Sequence, residues 1–148
     1  MVAARLFGIW IDERQAVLVG FHGDGPVTLR LIDSGIDEVS PPAGLEPGRS
    51  PKAEDPDAEY RRSRAFLRYY RRVIGAVAEA DRIAIFGPGE ARRSLDREMR
   101  RVPGFLSRIV GVEAADAMPR KRFIAKVRAF YHLPAEGAGV SHREPTAA

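Results

Sequence analysis

The amino-acid sequence predicts a single α/β domain in which helices pack on a mixed sheet. Its first third contains three apolar runs separated by short turn signals, and short turns join antiparallel neighbours. Its second half alternates helical periodicity with short apolar runs, which is typical of parallel strands joined by crossover helices. The 148 residues, of which 45% are hydrophobic and 30% charged, suffice for one core. The chain has no Cys, which excludes disulfides, thiol nucleophiles and Cys-ligated zinc or iron–sulfur sites.

Three strands are predicted at residues 6–11, 16–21 and 27–32, because each run is rich in β-branched, aromatic and other apolar residues. The polar stretch 12–14 and the stretch 23–26, which contains Gly and Pro, separate these runs and suit tight turns. Together they predict a three-stranded antiparallel meander.

A long proline-rich loop is predicted at residues 34–55. Five of the 11 prolines fall between Pro41 and Pro56, and no apolar periodicity survives there. Loops of this length inside a domain are often functional or disordered. The predicted domain spans residues 1–134 with this loop included. The small and polar residues 135–148 are expected to form a flexible C-terminal tail.

The remaining elements follow from periodicity and from helix-end signals. A helix is predicted to start at Asp55 and Pro56, because Asp suits the N-cap and Pro the first helical position. Strands are predicted at 82–86 and 106–112, and further helices after the turn 87–90 and from near Pro119. The residues expected to face the core are Phe66, Tyr70, Val73 and Val77, then Ala91, Leu95 and Met99, then Phe123, Val127 and Phe130 or Tyr131. The resulting order, β-β-β-α-β-α-β-α, is the layout of three-layer ribonuclease-H-like domains.

The order and spacing of three segments carry a resemblance to a known group of domains. The segments are GIWID at 8–12 with the hairpin that follows, IAIFGPGEAR at 83–92, and VGVEAAD at 110–116. With the layout above, they resemble the middle domain of the archaeal and eukaryotic peptide-chain release factors and of their relative Pelota. The similarity spans residues 5–132 and points to the bacterial branch of that group, small single-domain proteins described as translational-machinery-like. The resemblance implies a ribonuclease-H-like fold and a ribosome or RNA partner.

The catalytic tripeptide of release factors is missing from the matching interval. In those factors a Gly-Gly-Gln sequence, in a loop between the third strand and a long basic helix, promotes hydrolysis of peptidyl-tRNA. Here the interval before Tyr60 contains Gly44 and Gly48 but no Gly-Gly pair, and the nearest Gln is Gln15. The resemblance therefore implies the fold and an RNA partner, but not release activity.

The basic residues cluster on the first predicted helix. The net charge is +4, and all but three of the 24 Lys and Arg residues are Arg. Between Arg61 and Arg72 there are six Arg and no acidic residue. Clustered Arg binds phosphate through planar, bidentate contacts, and Tyr60 and a half-exposed Tyr69 offer stacking surfaces for unpaired bases. The predicted RNA-binding residues are Arg61, Arg64, Arg68, Arg71, Arg72 and Tyr69. The alternative interpretation is the ordinary solvated face of an amphipathic helix.

The turn Gly87-Pro88-Gly89, between a strand and a helix, is a second candidate site. Backbone N–H groups at a helix N-terminus bind anions, which makes Gly87 and Gly89 candidate anion-binding residues. However, the stretch lacks the Lys and Ser/Thr of a P-loop, and Glu90 would repel a phosphate. The competing interpretation is a structural tight turn.

No pattern in the sequence specifies a catalytic or metal site. Asp12 ends the first strand, as in metal-dependent nucleases, but Asp is also an ordinary residue of a hairpin turn. Trp10 is expected to pack in the core. The other candidates, which lack the spacing of a carboxylate cluster or of metal ligands, are Asp33, Asp81, Asp116, His22, His132 and His142.

The sequence therefore favours a non-catalytic, cytoplasmic, translation-related protein that docks on ribosomal RNA or tRNA and needs no cofactor or metal. It has no apolar run long enough to span a membrane and no secretory signal. Two alternatives remain open. One is a protein-interaction or homo-oligomeric module that pairs through the arginine face or through an exposed strand edge. The other is a metal-dependent nuclease.

Overall fold

The computed structural model describes residues 3–36 and 56–134. The proline-rich stretch beyond residue 36 and the C-terminal tail 135–148 lie outside the described residues, so both remain predictions. The elements are β1 (Arg5–Ile11), β2 (Gln15–His22), β3 (Thr28–Asp33), α1 (Pro56–Ala76), β4 (Arg82–Gly87), α2 (Ala91–Arg100), β5 (Ile109–Ala114) and α3 (Arg120–Phe130). This order confirms the predicted α/β, ribonuclease-H-like class.

The five strands form one mixed sheet in the order β3-β2-β1-β4-β5. The pairs β1–β2 and β2–β3 are antiparallel, as tight turns require. The pairs β1–β4 and β4–β5 are parallel, because a helix carries the chain back between their strands. The meander thus occupies one half of the sheet and leaves β3 at its edge.

The helices cover the two faces of the sheet unequally. Side chains alternate along each strand, so that Ile9 and Ile11 face α1 and α2, whereas Trp10 faces α3. β4 repeats the pattern, with Ile83 and Ile85 on the side of α1 and α2 and with Phe86 on the side of α3. Two helices, the sheet and one helix therefore make three layers with a core on each side of the sheet.

Most helical core positions fall where their spacing predicts, but Phe66, Phe130 and Tyr131 are only partly buried. The buried residues of α2 and α3 are Ala91, Leu95, Met99, Phe123 and Val127. Trp10 is 5% exposed, and its indole N–H donates to the carbonyl oxygens of Ala115 and Asp116 at 3.2 and 3.3 Å. The ring thus fills the core under α3 and also binds the segment that connects β5 to α3.

The predicted strand 106–112 begins three residues later than expected. Leu106–Arg108 form a 3-10 turn, and β5 starts at Ile109. Phe105 is buried and anchors the turn, whose Arg108 N–H donates to the Phe105 carbonyl oxygen at 2.9 Å. Leu106 is 58% exposed, so its apolar character predicted a strand where the chain is still turning.

In residues 3–36 and 56–134, no helix has both the length and the hydrophobicity to cross a membrane.

Candidate nucleic-acid interface

The second half of α1 anchors the helix to the sheet. Ala65, Tyr69, Val73 and Val77 line one side of the helix and of the turn that follows it, and none is more than 4% exposed. In contrast, none of the described side chains at 57–64 is buried. The first two turns of α1 therefore contribute little to the core and present their side chains to the surroundings.

The arginines of α1 lie on its exposed side. Arg61, Arg64, Arg68 and Arg71 are all exposed. Within the described part of the chain, Arg61, Arg68 and Arg71 form no ion pair, and Arg64 donates to the hydroxyl of Tyr60 at 3.2 Å. These guanidinium groups carry positive charge that no neighbouring described carboxylate neutralises.

Helix α2 is also rich in Arg, but unlike the outward arginines of α1, several of its arginines are paired with acidic residues. Its arginines alternate with acids at helical spacing, and three ion pairs result. They are Arg93–Glu90 at 3.0 Å, Arg100–Asp96 at 2.8 Å and Arg101–Glu98 at 3.7 Å. Such i,i+3 and i,i+4 pairs are the usual arrangement of a solvated helix face. Among the described residues, no such ion pair involves Arg61, Arg64, Arg68 or Arg71, which distinguishes their face from that of α2.

Arg72 makes a structural contact in addition to being exposed. Its guanidinium donates to the carbonyl oxygens of Asp33 at 2.7 Å and of Ser34 at 3.3 Å, and so holds α1 against the end of β3. Arg62, the sixth arginine of the run, lies over the ring of Phe66 at 5.3 Å from its centroid. The structure therefore separates Arg72 and Arg62 from the four arginines that face outward.

The prediction that Tyr69 is half exposed and stacks on bases is wrong. Tyr69 is 0% exposed, and its hydroxyl donates to the carbonyl oxygen of Asp12 at 2.9 Å. Burial raises the pKa of Tyr69 well above its ordinary value, and the nearby Asp12 carboxylate adds to the effect. Adjacent positions on a helix are about 100° apart, so an apolar stripe of ordinary width holds both Tyr69 and Tyr70. The exposed aromatic ring of α1 is Tyr60, at 62%.

The turn at Gly87 and Gly89 has a structural explanation. Gly87 is buried at the end of β4 with φ 154°, and a Cβ there would collide with the backbone carbonyl of Ile11. Gly89 has φ 61° and is exposed. The guanidinium of Arg92 donates to the carbonyl oxygens of Gly87 at 3.2 Å and of Gly89 at 2.6 Å, which closes the turn. Of the two candidate anion-binding residues, only Gly89 lies at the surface.

Two of the aspartates that were candidates for a metal site, Asp12 and Asp81, bind backbone N–H groups at a turn and at the start of a strand. Asp12 Oδ1 accepts the backbone N–H of Arg14 at 2.8 Å and of Gln15 at 2.9 Å, as an Asp in a hairpin turn does. Asp81 Oδ2 accepts the backbone N–H of Arg5 at 2.7 Å. Among the residues that the structure describes, no three His, Asp or Glu side chains are placed to hold a metal ion.

The structure adds one basic residue that the sequence analysis did not single out. Arg30 lies on β3, on the face that α1 covers, and it lines a surface groove together with Arg72, Gly75 and Ala76. Its position between Leu29 and Leu31 marked it only as the polar residue of an alternating strand. The sheet order was needed to place it at an edge.

Comparison with known proteins supports the fold. No family model and no curated protein matches the sequence. Among solved structures, the Pelota protein of Thermoplasma acidophilum aligns with 93% of this chain and 34% of its own, at 18% identity and a TM-score of 0.52. An archaeal translation termination factor aligns with 84% of this chain and 34% of its own, at 12% identity and a TM-score of 0.47. The chain thus spans about a third of these structures, and it has a Pelota-like fold.

Proposed function

We propose that this protein is a non-catalytic, translation-related factor that docks on ribosomal RNA or tRNA through Arg61, Arg64, Arg68 and Arg71 of α1. The observation that carries the proposal is the exposed run of arginines with no acidic residue among them. The Pelota-like fold and the resemblance of the sequence to release-factor middle domains support the ribosome as the source of the RNA. Within this proposal, the chain is one of the bacterial single-domain relatives of those factors.

The docking is electrostatic. Arg61 and Arg71 are ten residues apart, so the row of arginines is about 15 Å long and reaches several phosphates of an RNA backbone. Each phosphate that an arginine neutralises releases condensed counterions, so that binding weakens steeply as salt rises. Tyr60, with its ring 5.7 Å from the Arg64 guanidinium, offers the stacking surface that Tyr69 does not. Without a Gly-Gly-Gln sequence, peptidyl-tRNA hydrolysis is not part of the proposal.

The test is co-sedimentation with purified ribosomes at about 50 and 300 mM salt. We expect the wild-type protein to pellet at the lower salt and to remain in the supernatant at the higher salt. A variant with Gln at Arg61, Arg64, Arg68 and Arg71 should fail to pellet at either salt. In the wild-type protein, each phosphate that an arginine neutralises contributes about 0.7 to 0.9 to the slope of log affinity against log salt, so the four arginines together should contribute about 3.

A matched control is available on α2. Gln at Arg93, Arg97, Arg100 and Arg101 removes the same charge from another exposed helix face and should leave pelleting nearly unchanged. Circular dichroism of both variants confirms that they are folded. Equal losses in the two variants would show that net charge, not the α1 face, drives the association. A wild-type protein that stays in the supernatant even at the lower salt would overturn the proposal.

A further inference from the structure

Among the described residues, no strand pairs with the outer edge of β3. β3 is an edge strand, and the N–H of Ser34 donates to Arg14 on the side of β2 at 2.8 Å. Because hydrogen-bonding direction alternates along an antiparallel strand, Leu29, Leu31 and Asp33 direct their N–H and C=O groups outward. Arg72 takes the Asp33 carbonyl, which agrees with this direction. The backbone groups of Leu29 and Leu31 have no partner within residues 3–36 and 56–134.

A groove runs between this edge and the C-terminal part of α1. One cavity of about 350 Å³ is lined by Arg30, Asp33, Arg72, Gly75 and Ala76 among others. A second cavity of about 410 Å³ shares Arg30, Gly75 and Ala76 and continues past Arg5 and Glu79. The first cavity therefore follows residues 30–33 of β3, whereas the second lies over the face of the meander, where Phe7 of β1 and Gly20 of β2 also line it.

Gly75 keeps this groove open. Glycine is unfavourable inside a helix, and Gly75 is not among the residues with positive φ that would make it a helix-ending turn. A Cβ at Gly75 would meet nothing within 4 Å, so packing within the described chain does not require glycine there. The absence of a side chain at Gly75 therefore affects only the space that a ligand would occupy in the groove.

The side chains along β3 define the chemistry of a fitting strand. On the side of α1, Arg30 is exposed and forms no ion pair with any described residue, whereas the nearby Arg5 is already paired with Glu79. On the opposite face, Leu29 and Leu31 are 41% and 43% exposed. Leu31 also borders a cavity of about 330 Å³ between β3 and the start of α3, which Trp10 helps to line. A complementary strand would carry acids on one face and apolar side chains on the other.

We propose that β3 binds an extended segment of a partner protein, with alternating acidic and apolar residues, as a sixth strand of the sheet. Backbone hydrogen bonds to Leu29 and Leu31 would hold the segment, and Arg30 would select its acids, as in other cases of strand addition at a sheet edge. Charge complementarity favours this partner over a second copy, which would bring another Arg30 to the same edge. This surface adjoins the outward arginines of α1, because Gly75 follows Arg71 by one helical turn, but none of the four arginines proposed to contact RNA lines either cavity.

The test uses a blocked heptapeptide of alternating Val and Glu as the probe, with a matched peptide of alternating Val and Lys. Binding is followed by amide chemical shifts and hydrogen exchange of the full chain. We expect the acidic peptide to slow exchange of the Leu29 and Leu31 amides by at least about tenfold and to shift Gly75. The basic peptide should bind at least about tenfold more weakly, and Arg30→Glu should reverse this order.

Two substitutions separate groove occupation from damage to the fold. Gly75→Gln places a better helix former in α1, so it should raise Tm by about 2 to 4 °C. Its long side chain occupies the groove, so the acidic peptide should bind about tenfold more weakly or worse. Ala129→Gln, at an exposed position of α3, is the control and should bind the peptide normally. Ribosome pelleting should be the same for Gly75→Gln and the wild type, so that failure of either proposal leaves the other standing.

Three results would overturn the proposal. They are unchanged exchange of the β3 amides with the acidic peptide, equal affinity for the two peptides, and full affinity in the Gly75→Gln variant. Sedimentation that shows a dimer whose formation protects the Leu29 and Leu31 amides would assign the edge to a second copy instead.

Discussion

Replacing Gly87 with alanine is expected to destabilise the protein by about 3 to 5 kcal/mol, the largest effect of any single substitution considered for this chain. The backbone of Gly87 has φ 154°, which a residue with a side chain rarely adopts. The new Cβ would also overlap the backbone carbonyl of Ile11 on β1, which cannot rotate away as a flexible side chain could. Strain of about 1 to 3 kcal/mol and overpacking of a similar size therefore act together.

Urea unfolding measures this loss, and two other glycines serve as controls. Gly89→Ala meets only the strain of a positive φ, since nothing lies within 4 Å of its Cβ, and should cost about 1 to 2 kcal/mol. Gly75→Ala should stabilise the protein by up to about 1 kcal/mol. If Gly87→Ala lowered the free energy of unfolding no more than Gly89→Ala does, the close contact between Gly87 and the Ile11 carbonyl would be contradicted.

The fold could be predicted from the sequence because its signals are local. The turns at Asp12–Arg14 and 23–26 lie between strongly apolar runs, and each helix carries a clear core stripe. Those features alone imply an antiparallel meander followed by parallel strands. The start of β5 was misplaced because Leu106 is apolar but exposed, and only the anchoring of Phe105 shows that the chain is still turning there.

The arrangement of the candidate site could be predicted from the sequence less completely than the fold. The row of arginines follows from helical spacing, but their pairing depends on which residues lie next to them in space. Arg72 reaches Asp33 of β3, which is 39 residues away in sequence, and this contact has no local signal. Tyr69 was misplaced because two adjacent tyrosines fit one wide stripe. The importance of Arg30 depends on the sheet order, which a sequence pattern does not give.

Stability is expected to fall steeply above about pH 10, the ordinary pKa of tyrosine, because buried tyrosines resist ionisation in the folded state. Burial raises the pKa of Tyr69, Tyr70 and Tyr131. The hydroxyl of Tyr131 donates to the Phe7 carbonyl oxygen at 2.7 Å, and that of Tyr69 to the Asp12 carbonyl oxygen at 2.9 Å. Both hydroxyls must keep their protons to make these bonds.

The direction follows from proton binding. In the unfolded chain these tyrosines lose their protons near pH 10, whereas in the folded chain they keep them to higher pH. Their contribution to stability is therefore complete below about pH 10 and is lost as the pH rises towards the folded pKa. Each such tyrosine lowers the free energy of unfolding by up to about 1.4 kcal/mol per pH unit in that range.

Urea unfolding between about pH 8 and 11.5 tests this expectation on the wild type and on Tyr69→Phe. The variant loses one hydrogen bond and should be less stable by about 1 kcal/mol at pH 8. Above pH 10 its stability should decline less steeply, because one titrating group is gone, so that the two curves converge. Recovery of the folded signal on return to neutral pH excludes chemical damage. Parallel curves would show that Tyr69 ionises equally in the folded and unfolded states. That result would contradict the burial of Tyr69, which is 0% exposed.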